Sequence, residues 1–416
     1  MRHPLLHADL EALAKIGRDP SGGNTRLAYS AADLEARRWL IGRLEANGLR
    51  ARLDAAGNVI GRLEANVADA DRRAVMVGSH LDTVPNGGPL DGALGVLAGI
   101  EVARRLLADG APRRRAYEVV AFCDEEGRFS PYVGSRAMTG SLDYARVPRM
   151  RDVKGTMLTE ALHAAGLDAE RLPDAARPAD DVAAYLELHI EQGPVLERQD
   201  RNIGVVTGIV GQVRLSIKFH GRPDHAGTTP MDCRRDAFAA AAAYATDLRR
   251  QVLEQGGGIA VMTVGIVEVQ PGAGNVVPAL ARLGLEIRDL DQDRLSRLAA
   301  LAESAALASG VAHDVTVEAR RIYETTPAPL HAHLQRLIDA TAAALGLSRL
   351  ALPSGAGHDA QVLAPYVPSA MIFIPSKGGR SHCPEEETDW ADIDNGVDVL
   401  YGTVAALLAA DSIDTV

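Results

Sequence analysis

Apolar residues along this chain repeat in two rhythms. Short unbroken runs, Ala74 to Gly78, Tyr117 to Cys123, Val182 to Ile190 and Ser369 to Ile374, predict strands covered on both faces. Between them apolar positions recur at helical spacing. Leu34, Leu40, Ile41 and Leu44 follow Ser30, which has Asp33 three residues on in a near capping box, and Gly48 ends the pattern. Further helices are predicted over Gly92 to Arg105 and over 330–345, and Gly134-Ser135-Arg136 begins another. Leu49 to Leu63 predicts a hairpin that turns over Asp54 to Asn58, with Asn58 as a turn residue. Residues 152–180, Pro-punctuated and with one short helix around Leu158 to Gly166, predict a surface excursion without chemistry. An apolar run from Ile203 to Val210 closes this first segment.

From Gly211 to about Ile322 the rhythm changes to strand, helix, strand, strand, helix, strand. The strands fall at 212–220, 259–269, 281–289 and 313–322, and Ala-rich helices at 233–254 and 292–309. That order predicts a split βαβ layer of two helices on an antiparallel sheet, inserted into an α/β domain. The expected organisation is therefore α/β over 1–210, a smaller α+β insertion over 211–324, and the rest of the α/β domain over 325–416. A chain of 416 residues has room for about two to three domains.

Composition narrows the class. With 47% apolar and 24% charged residues the chain suits a folded globular protein, and no apolar stretch approaches the ~20 residues that cross a bilayer. A net charge of −11 disfavours nucleic-acid partners. Cys123, Cys233 and Cys383 are widely spaced, without a CxxC pair, and the first residues lack an apolar secretory core; both features lead us to expect a reducing, cytoplasmic setting.

Candidate chemistry gathers at predicted strand ends, where open α/β sheets place their ligands. His80 and Asp82, at i and i+2, share a face if the chain stays extended, so Asp82 suits the orienting carboxylate of a metal-binding imidazole. Pro85 to Gly88 is a turn cluster that brings back Asp91, which stands at a helix start either as a cap or as a bridge between two metals. Asp124, Glu125 and Glu126 end the next apolar strand. Burying such a run needs compensating charge, and metal ions supply it; of Glu125 and Glu126, one would ligate and the other serve as general base. His189 alone reads as a hydrogen-bonded core residue. Taken with His80, Asp91, Glu126 and His382, it suits a pair of divalent ions. The glycine-bearing loop SGAGHDA presents His358. In the insertion, the loops around His225 and Asn275 are the functional candidates, and Arg288 is either a surface ion-pair residue or a bidentate holder of a substrate carboxylate.

The stretches GSHLDTVPNGGPLDGALGVLAG, FCDEEG, LELHIEQGPVLE, HAGTTPM, NVVP, EIRD, SGAGHDA and SHCPEE together resemble the N-carbamoyl-L-amino-acid amidohydrolases. These are the hydantoinase/carbamoylase branch of the dinuclear metallopeptidase-like amidohydrolases, which also holds allantoate amidohydrolases and β-ureidopropionases. The resemblance runs in order over nearly the whole chain. It implies that His80, Asp91 and His189 hold one metal and Asp91, Glu126 and His382 another, the ions being zinc, manganese, cobalt or nickel. It also implies that Asp82 orients His80, that Glu125 is the general base, and that a ureido acid is the substrate. The family's homodimeric arrangement implies that the insertion is both dimer interface and lid. His225 would then stabilise the oxyanion in the partner's site, with Gln192, Asn275, Arg288 and His358 on the substrate. One departure is the stretch GRFSPYV after Glu126, which is shorter than the usual family loop. An N-acyl amino-acid hydrolase or peptidase would share the metals, whereas a non-catalytic metal protein would lack the base or a ligand.

Overall fold

The structure, a computed structural model, describes residues 2–413. The chain divides into two compact units, one of residues up to Thr207 and from Leu330 on, the other Gly208–Pro329. The sequence pattern placed these boundaries at 211 and 324.

In the larger unit β1 (Arg50–Leu53) and β2 (Val59–Leu63) form the expected hairpin, followed by β3 (Ala74–His80), β4 (Ala116–Phe122), β5 (Val182–Ile190) and β6 (Ile203–Ile209). The insertion carries β7 (Gly211–His220), β8 (Val261–Gln270), β9 (Leu280–Asp289), β10 (Thr316–Thr325) and the two-residue β11 (Ala328–Pro329); β12 (Arg349–Ser354) and β13 (Ser369–Ile374) then return to the larger unit. The large sheet runs β1-β2-β4-β3-β5-β13-β6-β11, with β12 also on β6. The four middle strands are parallel, so β4, β3, β5 and β13 deliver their carboxyl ends to one edge. Every residue of these four strands is buried, which is why their sequences read as unbroken apolar runs. Helix Ala93–Ala108 has buried residues on most of its circumference and packs on β3, where each fully buried aliphatic side chain contributes about 1.5–3 kcal/mol.

The hydroxyl of Ser30 caps helix Ala31–Ala46 by accepting from the Asp33 amide, and the Asp33 carboxylate reaches back to the amide of Tyr29. Three features depart from the sequence reading. Residues 152–180 are not a surface excursion only: Leu158, Ala161, Leu162, Leu172 and Ala175 are buried in a second core with Tyr29, Cys123 and Val133, because an amphipathic helix and turns fold back over it. Asn58 is fully buried, its amide donating to Asp54 and Gly134 O and its oxygen accepting from the Cys123 amide, so it ties the hairpin to the end of β4. Helices Pro4–Leu13 and Trp390–Ala409 are additional elements, the second built on the stripe Ile393, Val397, Leu400, Val404 and Leu407.

In the insertion the strands pair antiparallel in the order β10-β7-β9-β8. Strict alternation along β7 and β9 turns Val213, Leu215, Ile217, Leu283, Leu285 and Ile287 to one face, where helices Ala237–Gln255 and Gln292–Ala312 cover them. The expected helix starting at 233 begins later, because Met231–Cys233 is a 3₁₀ turn and Asp236 caps the helix by accepting from Phe238 and Ala239.

Candidate metal centre

The carboxyl ends of the parallel strands bring five side chains from four segments together. His80 ends β3, Asp91 follows on its loop, Glu126 lies beyond β4, His189 lies near the end of β5, and His382 lies on the loop after β13. His80, Asp91 and His189 form one group whose ligand atoms all lie within 4.8 Å of one another; Asp91, Glu126 and His382 form a second. Asp91 belongs to both. Its Oδ1 is 3.1 Å from His189 Nε2 and 3.7 Å from His80 Nε2, and its Oδ2 is 3.0 Å from His382 Nε2, which is 3.5 Å from Glu126 Oε1. Gly92 permits this packing: it has φ +66°, and a Cβ there would lie 2.5 Å from the His80 ring.

Main-chain carbonyls set both buried imidazoles. His80 Nδ1 lies 2.9 Å from Asp82 O, and His189 Nδ1 lies 2.8 Å from Ile190 O. A carbonyl only accepts, so each Nδ1 carries a proton and each Nε2 is turned toward Asp91, the atom through which a cation would be held once any proton on it is displaced. The orienting group for His80 is thus the carbonyl of Asp82, where the sequence had suggested its carboxylate. That carboxylate instead accepts from the Glu126 amide at 3.2 Å and so fixes the acidic loop.

The donor set fits divalent cations. Asp82, Asp91 and Glu125 are buried and Glu126 is nearly so; Asp91 faces three imidazoles, Glu125 faces His80 and Glu126 faces His382, and Glu126 Oε1 is shielded from solvent without a hydrogen-bond partner. Burial, with repulsion from Asp91 next, pushes the Glu126 carboxyl up to about 7, and burial with its acidic neighbours raises Glu125 well above the carboxylate range. Asp91 goes the other way: against burial, hydrogen bonds with His189, His382 and His80 hold it well below that range. The Asp91 hydrogen bond raises His382 to about 9.

A cation that takes His382 Nε2 must displace its proton, so between pH 6 and 9 affinity is expected to rise by about tenfold per pH unit for each proton released. Calorimetric titration in buffers of different ionisation enthalpy measures that release. Proton-free uptake over this range would remove His382 from the ligand set.

The other candidates fall around this centre or within the insertion. Glu125 Oε2 lies 3.5 Å from His80 Nε2. Gln192 Nε2 donates to Asp91 Oδ2 at 2.9 Å and to Ser381 Oγ at 3.1 Å. His358 is buried, edge-on to the His189 ring at 4.6 Å, with Nε2 2.8 Å from Ser354 Oγ, so it packs behind the candidate ligand His189. In the insertion, His225 and Asn275 sit on neighbouring exposed loops joined by the Ala226 amide to Asn275 O and the Val277 amide to Asp224 O. Arg288, on β9, donates from Nε to Glu286 at 2.6 Å. Two further residues matter that the motifs alone did not single out. Asp124, at φ +55°, accepts from the amides of Phe129 and Ser130 and folds the loop after Glu126. Glu386, inside SHCPEE, accepts from the amides of Leu90 and Asp91. A carboxylate followed by a turn was the only signal for the first, and an acidic residue four positions after His382 the only one for the second.

The parallel strand ends of an α/β sheet thus gather two groups of candidate metal ligands that share Asp91. Residues 76–406 match the peptidase family M20/M25/M40. The chain is 41% identical over 398 residues to an N-carbamoyl-L-amino acid amidohydrolase of Geobacillus stearothermophilus, covering 95% of this chain and 96% of that one. It is 38% identical over 390 residues to an allantoate amidohydrolase of Escherichia coli strain K12, covering 93% and 94%. A crystal structure of a hydantoinase/carbamoylase family amidase from Burkholderia multivorans superposes with a TM-score of 0.91 at 33% identity over 98% of both chains. The chain belongs to the peptidase family M20/M25/M40, and it is an amidohydrolase of that family acting on C–N bonds other than peptide bonds. Among the described residues no helix is long and apolar enough to cross a membrane.

Proposed function

We propose that this enzyme hydrolyses the ureido C–N bond of N-carbamoyl-L-amino acids, giving the amino acid, carbon dioxide and ammonia. The observation that carries the reading is the pair of ligand groups sharing Asp91, with Glu125 beside them. Two N-carbamoyl-L-amino acid amidohydrolases at 41% and 40% identity support the carbamoyl substrate over the allantoate amidohydrolases at 38% and 35%; a third carbamoyl relative stands at 33%.

His80, Asp91 and His189 would hold one divalent ion and Asp91, Glu126 and His382 a second, of zinc, manganese, cobalt or nickel. Bound there, the ions would polarise the ureido carbonyl, a poor electrophile because both nitrogens donate into it, and lower the pKa of water. Glu125 takes the proton of the attacking water and delivers it to the departing nitrogen; burial raises its proton affinity toward that task. The Gly227 amide donates to His225 Nδ1 at 3.0 Å, so the ring proton sits on Nε2, a donor for the tetrahedral oxyanion. Gln192 and Asn275 orient the ureido group and Arg288 takes the carboxylate. A homodimer in which His225 serves the partner's site is part of this reading; the exposed Val261, Ile266 and Val267 on edge strand β8 support an interface there.

The test is ammonia release from N-carbamoyl-L-amino acids, N-carbamoyl-β-alanine, allantoate and N-acetyl amino acids by metal-stripped protein reloaded with manganese or zinc. Metal-dependent turnover of the carbamoyl acids is expected. Turnover of allantoate alone would transfer the protein to the sister activity, and acetyl cleavage with silence on every ureido compound would refute the reading. Arg288→Lys, which loses the bidentate fork, is expected to lower kcat/KM on the carbamoyl acids by roughly ten- to hundredfold, mostly through KM. An unchanged KM would take the carboxylate away from Arg288.

A further inference from the structure

The metal centre stands on two loops from distant parts of the chain, 88–91 and 381–386, and one buried carboxylate joins them. Glu386 is 4% exposed. Its Oε1 accepts the main-chain N–H groups of Leu90 at 2.8 Å and Asp91 at 3.0 Å, and its Oε2 accepts the Ser381 hydroxyl at 2.7 Å. Ser381 Oγ also accepts from Gln192 Nε2, and the same amide donates to the Asp91 carboxylate. A closed circuit of hydrogen bonds therefore runs from the main chain of Asp91 through Glu386, Ser381 and Gln192 back to the side chain of Asp91.

Two observations show that this circuit has work to do on its neighbours. Residue 88 approaches so closely that a Cβ there would lie 2.1 Å from the Glu386 carboxyl, so the contact requires glycine. His382, directly after Ser381, has φ +55°, a left-handed conformation that is strained for a residue with a side chain. Its side chain is 51% exposed, so burial does not hold it. Hydrogen bonds on either side of it do.

We propose that Glu386 is a positioning residue for the metal centre: it locks the Asp91 loop to the Ser381–His382 loop, so that Asp91 Oδ2 and His382 Nε2 stand 3.0 Å apart. This inference rests on the two-ion reading above. A carboxylate that accepts three hydrogen bonds forms charge-assisted contacts, about twice as strong as neutral ones. Without them, a cation at the Asp91–Glu126–His382 group must itself supply the ordering of His382 and of the Asp91 loop.

Glu386→Ala is expected to weaken binding of manganese or zinc at one of two sites by roughly 10–100-fold. Glu386→Gln keeps an oxygen for the two amides and is expected to restore most of that affinity. Ser381→Ala removes only the second arm, weakens the same site, and serves as the informative variant if Glu386→Ala does not fold. Hydrogen exchange on the metal-free proteins gives a readout independent of any ion: the Leu90 and Asp91 amides should exchange faster in Glu386→Ala than in wild type or Glu386→Gln. Two ions bound by wild type with unchanged affinity in Glu386→Ala would overturn the proposal. A wild type that binds no ion would overturn the metal reading instead, and the exchange rates alone would then decide whether Glu386 holds the Asp91 loop.

Discussion

Glu125→Gln is expected to lower kcat on N-carbamoyl-L-amino acids by about 10²–10⁴-fold, the contribution typical of a positioned general base, with metal content unchanged. Two neighbouring carboxyls differ in their surroundings. Glu126 Oε1 faces His382 at 3.5 Å and belongs to a ligand group, whereas Glu125 Oε2 faces His80 and belongs to neither. Gln is nearly isosteric and keeps one acceptor, so binding and packing survive while the proton-transfer step loses its base. The same substitution at Glu126 should act through the metal instead. Metal analysis of both purified variants beside single-turnover rates distinguishes them, and a Glu125→Gln enzyme that has lost an ion would move Glu125 into the ligand set.

Asp91→Asn is expected to have the larger effect on metal, because one carboxylate serves both groups. Loss of affinity should exceed the roughly 10–100-fold that follows changes to outer partners, and kcat should fall further than in Glu125→Gln, since both ions of the proposed pair would lose a shared ligand. The protein electrostatics point the same way. Against burial, His189, His382 and His80 hold the Asp91 carboxyl well below its ordinary range, so it stays ionised wherever the enzyme works. Its stabilising interactions are present above the ordinary carboxylate pKa and fade only as pH falls through the depressed one. A neutral Asn carries none of that charge. Equilibrium dialysis against manganese or zinc measures the outcome, and retention of two ions at wild-type affinity would end the bridging role.

Much of the candidate centre is legible in the sequence because its residues sit at the ends of local patterns. His80, Glu126 and His189 each close or follow an unbroken apolar run, and such runs mark strands buried on both faces. Asp91 and His382 lie in glycine-bearing loops beside a predicted helix or strand. The alternation of apolar residues likewise marked an antiparallel sheet within 211–324, inside the compact unit Gly208–Pro329, because a two-residue period survives wherever one face of a sheet is covered and the other is not.

What the sequence by itself determined, then, is the set of elements and the residues at their ends, since periodicity and turn chemistry are properties of neighbouring positions. Only the tertiary structure decided the order β4-β3-β5-β13, which turns four separate strand ends into one edge. It also decided that carbonyls at Asp82 and Ile190 set the imidazoles, that Asn58 ties a hairpin to β4, and that Glu386 reaches across to Leu90 and Asp91. Those are choices of partner. They depend on which distant segments pack together and on the requirement that each buried donor and acceptor find a match, and no local pattern of apolar and polar residues records that outcome.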